Sequence, residues 1–239
     1  MECAYFLVAH GSPNPDYLAH LHHFVAQVVA ALDSNAPVGV GTLAGSLALT
    51  ETLPVFIHKH RPAAVRILPL LLGAGVHTRS DIPAAVAQVQ TALDQGTALE
   101  VLPHLGHWPS LGALLRGLVP PDISTWVGVV HGSRQPDAYL PLEQAISPWG
   151  GHLATWTQTP TLAECLQHLA SASDSIAIVP CFLCPGPITR ALQTAVPQLA
   201  RQCGGDSATI QLHLTPPLGA SPALVPFVVD CLRLPPIYV

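Results

Sequence analysis

Apolar runs alternate along the chain with longer stretches of helical periodicity. The runs Ala4–Ala9, Val38–Leu43, Ala64–Leu71 and Ala98–Leu102 are separated by helical patterns near Tyr17–Leu32, Thr50–His60 and Ala84–Leu93, and another follows near Ser110–Gly117. The run Ile67–Leu72, broken only by Pro69, has the look of a strand buried on both faces. This strand and helix rhythm predicts a parallel sheet with helices on either side, an α/β fold. Leu118–Thr125, centred on Pro120-Pro121, reads as a linker, and beyond it the pattern begins again.

The second passage repeats residues as well as rhythm. Val8-Ala9-His10-Gly11-Ser12 returns as Val129-Val130-His131-Gly132-Ser133, each followed by Pro-Asp and a tyrosine. Ile67-Leu68-Pro69 is echoed by Ile178-Val179-Pro180, Gly75 by Gly186, Thr78-Arg79 by Thr189-Arg190, and Pro103-His104-Leu105-Gly106 by Pro216-Pro217-Leu218-Gly219. The reading is two similar three-layer αβα half-units, residues 1–118 and 119–239, each with a four-stranded parallel sheet, facing one another across a cleft. The alignment sets Ile188 opposite His77, so only the N-terminal half has two histidines at these landmarks and one site per chain is expected.

Both histidines are predicted at strand exits, where open α/β sheets bind ligands. His10 follows Ala4–Ala9. His77 lies in Ile67–Pro83, an apolar run followed by Gly73 and Gly75, with Ser80, Asp81 and Pro83 read as start signals for the next helix. Neutral imidazoles bind borderline divalent transition-metal ions and accept protons near neutrality.

Composition narrows the field. The chain has 239 residues, 49% of them hydrophobic, enough for a sizeable core. Only 10% are charged and the formal charge is −5, against general nucleic-acid binding. Thirteen histidines against nine Lys and Arg favour metal or proton chemistry. With no signal-peptide pattern at the start and no long apolar stretch, a soluble cytoplasmic protein is expected, its six cysteines reduced. Cys181 and Cys184 have CxxC spacing, read as buried residues more readily than as a redox or metal pair.

The ordered set His10-Gly11-Ser12, Leu68–Pro83 with Gly75, His77 and Asp81-Ile82-Pro83, then Pro103–Pro109, resembles the sirohydrochlorin chelatases, the class II enzymes that insert cobalt or ferrous iron into a modified tetrapyrrole. The resemblance covers nearly the whole chain in its two-domain form. It implies a chelatase-like fold and an ATP-independent lyase of cobalamin or siroheme biosynthesis, with no cofactor beyond its divalent metal substrate. His10 and His77 would hold the metal and help remove pyrrole protons. Family members often carry a glutamate at the end of the second strand, whereas Val40–Leu49 holds no acidic residue and Glu51 is expected inside the next helix.

A polycarboxylate substrate calls for cations and backbone donors. Arg79 and its echo Arg190 are candidates for its carboxylates, with solvated helix-start arginines the alternative. Ser12 is a candidate substrate contact or a helix cap. His104 and His107 are either auxiliary metal-entry ligands or plain loop histidines, and His131 is expected to fix the Gly132-Ser133 turn by hydrogen bonding. The expected partners are a sirohydrochlorin-type tetrapyrrole and a divalent ion, without nucleic acid or membrane, to a monomer or homodimer. A non-catalytic histidine-rich metal-binding protein or metallochaperone is the competing reading. A histidine phosphatase fits poorly, since Ala9 stands where that motif needs arginine.

Overall fold

The computed structural model describes residues 3–93, 96–203 and 210–234. In the N-terminal part, strand β1 (Cys3–Ala9) lies at the centre of a sheet with β2 (Val38–Thr42), β3 (Ala64–Pro69) and β4 (Ala98–Val101), ordered β2-β1-β3-β4 and parallel throughout. From Phe6 to Ala9 every residue of β1 is buried, as the unbroken apolar run requires. On one face, Phe6, Val8, Val65 and Ile67 pack against Leu49, Leu53, Phe56 and Ile57 of helix α2 (Leu49–His60) and Ile82, Val86 and Val89 of α3 (Ile82–Ala92). Helix α1 (Pro15–Leu32) connects β1 to β2.

The C-terminal part repeats this topology. Strands β5 (Thr125–Val130), β6 (Gly151–Thr155), β7 (Ser175–Pro180) and β8 (Gln211–Leu214) form a parallel sheet ordered β6-β5-β7-β8, the order of the first sheet. Helices α5 (Leu140–Ile146), α6 (Leu162–Leu169) and α7 (Pro187–Cys203) join these strands. Leu162, Leu166 and Leu169 of α6 and Leu192 and Val196 of α7 close a core with Val127, Val129, Ile176 and Ile178. The two α/β half-units read from the sequence are thus two four-stranded parallel sheets, each flanked by helices.

The compact units divide differently from the sequence repeat. One runs to Trp108 and takes up the chain again from Val225; the other is Pro109–Leu224. Helix α4 (Ser110–Arg116) ends the first repeat yet packs against α5, where Gly112 approaches so closely that a Cβ would fall 1.9 Å from Ala145 O. Helix α8 (Leu224–Arg233) ends the second repeat yet is tied to the first unit: Arg66 of β3 donates to the carbonyls of Leu232 and Leu234, and Arg233 donates to the Leu32 carbonyl. Each repeat supplies its last helix to the other unit.

Candidate active site

The turn after β1 is shaped by a glycine. Gly11 has φ +91°, and a Cβ there would lie 1.9 Å from Ala44 O. That close approach joins the exits of β1 and β2, with Ala44 N donating to His10 O at 3.0 Å. Gly11 N donates to the Tyr17 hydroxyl (3.2 Å), Ser12 Oγ accepts from Asn14 N (3.2 Å), and Asn14 Oδ1 caps α1 by accepting from Asp16 N (3.1 Å). Ser12 therefore braces the turn and leaves the capping to Asn14.

After β3, the loop from Leu70 to Val76 leads into a single π-helical turn, His77–Asp81, that runs directly into α3. Thr78 Oγ1 reaches both Gly73 O (3.2 Å) and Gly75 O (3.0 Å), and Arg79 N donates to Gly75 O (3.0 Å). The strand stops at Pro69, short of the predicted Leu71. Asp81 also differs from its predicted role. It makes no side-chain cap; instead its Oδ2 lies 2.6 Å from His77 Nδ1. The His-x-x-x-Asp spacing was the available signal, because residues four apart on a helical turn share a face.

The two turns bring His10 and His77 together, with ring centroids 4.8 Å apart and planes at 76°. The tautomers follow from the partners. His10 Nδ1 lies 3.0 Å from the Gly11 carbonyl and His77 Nδ1 2.6 Å from a carboxylate, and both oxygens accept, so Nδ1 carries the proton in each neutral ring. The Nε2 lone pairs are left for a ligand. His10 is exposed, and the side chains of His77 and Asp81 are 45% and 46% accessible. Among the described residues, no group of three or more His, Cys, Asp or Glu is placed to hold a metal.

Arg79 is exposed in the π turn, and its positive charge is felt at His104. His104, at the exit of β4, is only 8% exposed, unlike an ordinary loop histidine; burial is the chief cause of its pKa falling to about 4. Its ring centre lies 6.0 Å from that of His107. The exit of β2 contains no carboxylate, and Glu51 sits exposed in the first turn of α2.

The second unit builds the same turn without the same chemistry. Gly132 has φ +107°, and the Tyr139 hydroxyl donates to its carbonyl at 3.4 Å. Thr157 bonds the His131 carbonyl through its Oγ1 (2.8 Å) and its N (3.1 Å), so the main chain of His131 and the side chains of Tyr139 and Thr157 brace this turn, where its ring was expected to. Ile188 stands at the His77 position, and Leu192, fully buried, at that of Asp81. Arg190 is exposed on α7. The Cys181 thiol is buried and pushed up to about 12, that of Cys184 to about 11, both by burial, and neither carries the low pKa of a reactive cysteine. A surface depression in this unit gathers His152, Glu164, Cys165 and His168, but the Glu164 carboxylate is occupied by the Thr161 capping box and the Cys165 thiol donates to Leu153 O.

The CbiX family model matches residues 4–120 and again 125–233. The chain belongs to the CbiX family. That is the sirohydrochlorin chelatase resemblance carried by His10-Gly11-Ser12 and the segment around His77, and the double match reproduces the internal repeat. Among solved structures, SirB from Bacillus subtilis with Fe³⁺ is 18% identical, with 98% of this chain and 95% of that one covered and a TM-score of 0.79. SirB from B. subtilis subspecies spizizenii in complex with cobalt is likewise 18% identical, covering 98% and 94% with a TM-score of 0.74. CbiX, described as the terminal enzyme of siroheme biosynthesis in denitrifying bacteria, is 22% identical over 96% and 98%, with a TM-score of 0.67. At these identities the structures establish a shared fold. No curated protein matches.

Proposed function

We propose that this CbiX-family chain is an ATP-independent lyase that inserts Co²⁺ or Fe²⁺ into sirohydrochlorin, serving cobalamin or siroheme biosynthesis, with His10 and His77 as metal ligands and proton acceptors. The observation that carries the reading is the pair of imidazoles 4.8 Å apart, each with Nδ1 committed to an oxygen and Nε2 left free. Insertion exchanges one divalent ion for two pyrrolic protons. Two Nε2 lone pairs match that exchange: they hold the ion first and, as ring nitrogens take it over, each is released to accept a proton. Asp81 keeps the His77 ring in the required tautomer and sets a negative charge beside it when Nε2 is protonated. Two protein ligands leave coordination positions for water and ring nitrogens, whereas a closed four-ligand site would retain the ion.

Arg79 and Arg190 are the proposed partners of the substrate carboxylates, Arg79 because it projects from the turn that carries His77. Ser12, which braces the turn after β1 by accepting from Asn14 N, is a further proposed substrate contact. No cofactor beyond the metal substrate enters this chemistry. All six cysteines are free thiols, which suits the reducing cytoplasm, and no helix among the described residues is long and apolar enough to cross a membrane.

The test is an anaerobic assay of sirohydrochlorin with Fe²⁺, Co²⁺ and Ni²⁺ against the uncatalysed rates. Acceleration with Fe²⁺ or Co²⁺ is expected. Tight metal binding without any change in the tetrapyrrole spectrum would instead indicate a metallochaperone.

A further inference from the structure

His104 opens the turn after β4 and is 8% exposed, although a buried imidazole gives up hydration that must be replaced. The turn itself does not need it. Gly106 N donates to the Leu71 carbonyl at 3.2 Å, and a Cβ on Gly106 would fall 1.8 Å from Leu72 O. The second unit closes the same clamp: Gly219 N donates to Phe182 O at 2.9 Å, and its Cβ would fall 1.7 Å from Leu183 O. Pro217 stands there in place of the imidazole, in the unit where Ile188 replaces His77.

What His104 adds is a second donor on Leu71. Its Nδ1 lies 3.1 Å from the Leu71 carbonyl, which can only accept, so Nδ1 is protonated. Leu71 lies near the start of the loop that leads to His77. Thr78 holds the far end of that loop through Gly73 O and Gly75 O. We infer that His104 is a positioning residue for the metal site: its Nδ1–H, donated to the Leu71 carbonyl, fixes the loop after β3 and so holds the His77 ring opposite His10. The inference rests on the proposed chelatase reading of the histidine pair. Burial keeps the ring neutral beside the positive charge of Arg79, so the fastening does not change across ordinary working pH.

The test uses the whole chain in three variants: His104→Pro, which installs the residue of the second unit; His104→Leu, which removes the donor without constraining the backbone; and His104→Asn, whose amide nitrogen keeps a donor near the position of Nδ1. Thermal unfolding, kcat and KM for sirohydrochlorin with Co²⁺, and Co²⁺ affinity from visible ligand-field absorption without tetrapyrrole are read on each. Folded His104→Pro should lose roughly 10- to 100-fold in kcat and in Co²⁺ affinity, the range typical of lost outer-shell partners, with KM changed by less than about threefold. If His104→Pro does not fold, His104→Leu carries the same comparison. His104→Asn should recover to within about threefold of the wild type. A folded Pro or Leu variant matching the wild type in kcat and Co²⁺ affinity would overturn the inference, as would an Asn variant as impaired as the Leu one. A wild-type chain that neither binds Co²⁺ nor metallates sirohydrochlorin would overturn the chelatase reading itself, and is recognised by that control.

Discussion

His10 and His77 each commit Nδ1 to an oxygen of the protein, Gly11 O for one ring and the Asp81 carboxylate for the other, and this makes two neighbouring imidazoles usable as a pair of Nε2 donors. Replacing Asp81 by alanine should leave the chain folded, since the side chain is about half exposed, but lower kcat/KM for insertion roughly 10- to 100-fold; steady-state kinetics on Asp81→Ala measures it. An unchanged kcat/KM would show that the His77 ring needs no orienting partner. The histidines were legible in the sequence because they follow apolar runs; the work of Asp81 was not, because Ser80-Asp81 before Pro83 also spells a helix start. His104 escaped for a related reason, as loop composition does not reveal burial. Its buried state has a consequence for stability. The folded value is about 4 and the ordinary one 6.5, so above 6.5 neither state is charged. As the pH falls from 6.5 towards 4, only the unfolded chain gains the proton, and stability should drop by an amount on the order of 2–3 kcal/mol through this residue. Urea unfolding at pH 7 and pH 4.5 should show a smaller acid loss for His104→Leu than for the wild type; equal losses would contradict the assignment.

Strands β1 and β5 could be read from uninterrupted apolar runs, since a strand covered on both faces has no polar alternation to hide it, whereas the edge strands β4 and β8 carry Glu100, Gln211 and His213. The boundary of β3 was harder. Leu70–Leu72 are as apolar as the strand before them, yet pairing ends at Pro69 and the chain turns towards His77. A π-helical turn carries no sequence period of its own, so the step that joins this loop to α3 is visible only in the structure. The turn after β1, by contrast, is dictated by one residue. Gly11→Ala would put a methyl 1.9 Å from Ala44 O at φ +91°, and the exits of β1 and β2 would have to separate. A destabilisation of about 3 kcal/mol is expected, from strain plus displaced backbone. Chemical denaturation tests it, and a loss below about 0.5 kcal/mol would mean the two exits are not locked together.

The repeat that organises the molecule was legible as ordered landmarks, and the identical strand orders β2-β1-β3-β4 and β6-β5-β7-β8 are its structural form. The assignment of terminal helices was not legible. Amphipathic periodicity says that a helix has a face to bury but not which sheet receives it, and here α4 packs with α5 while α8 is held by Arg66. Between the halves the decisive differences are single residues: Ile188 for His77, Leu192 for Asp81, Pro217 for His104. All three replacements remove a polar group from the position where the first unit uses one, which leaves His131 without a second imidazole. The central claim is therefore one metal-inserting site per chain, and the most direct measurement of it is the rate of Co²⁺ insertion into sirohydrochlorin by three folded variants. His10→Ala and His77→Ala should each fall roughly 10²- to 10⁴-fold, as for lost acid–base groups, while His131→Ala keeps most of the wild-type rate. A folded His131→Ala as inactive as His77→Ala would contradict the account and make the second unit part of the catalytic centre.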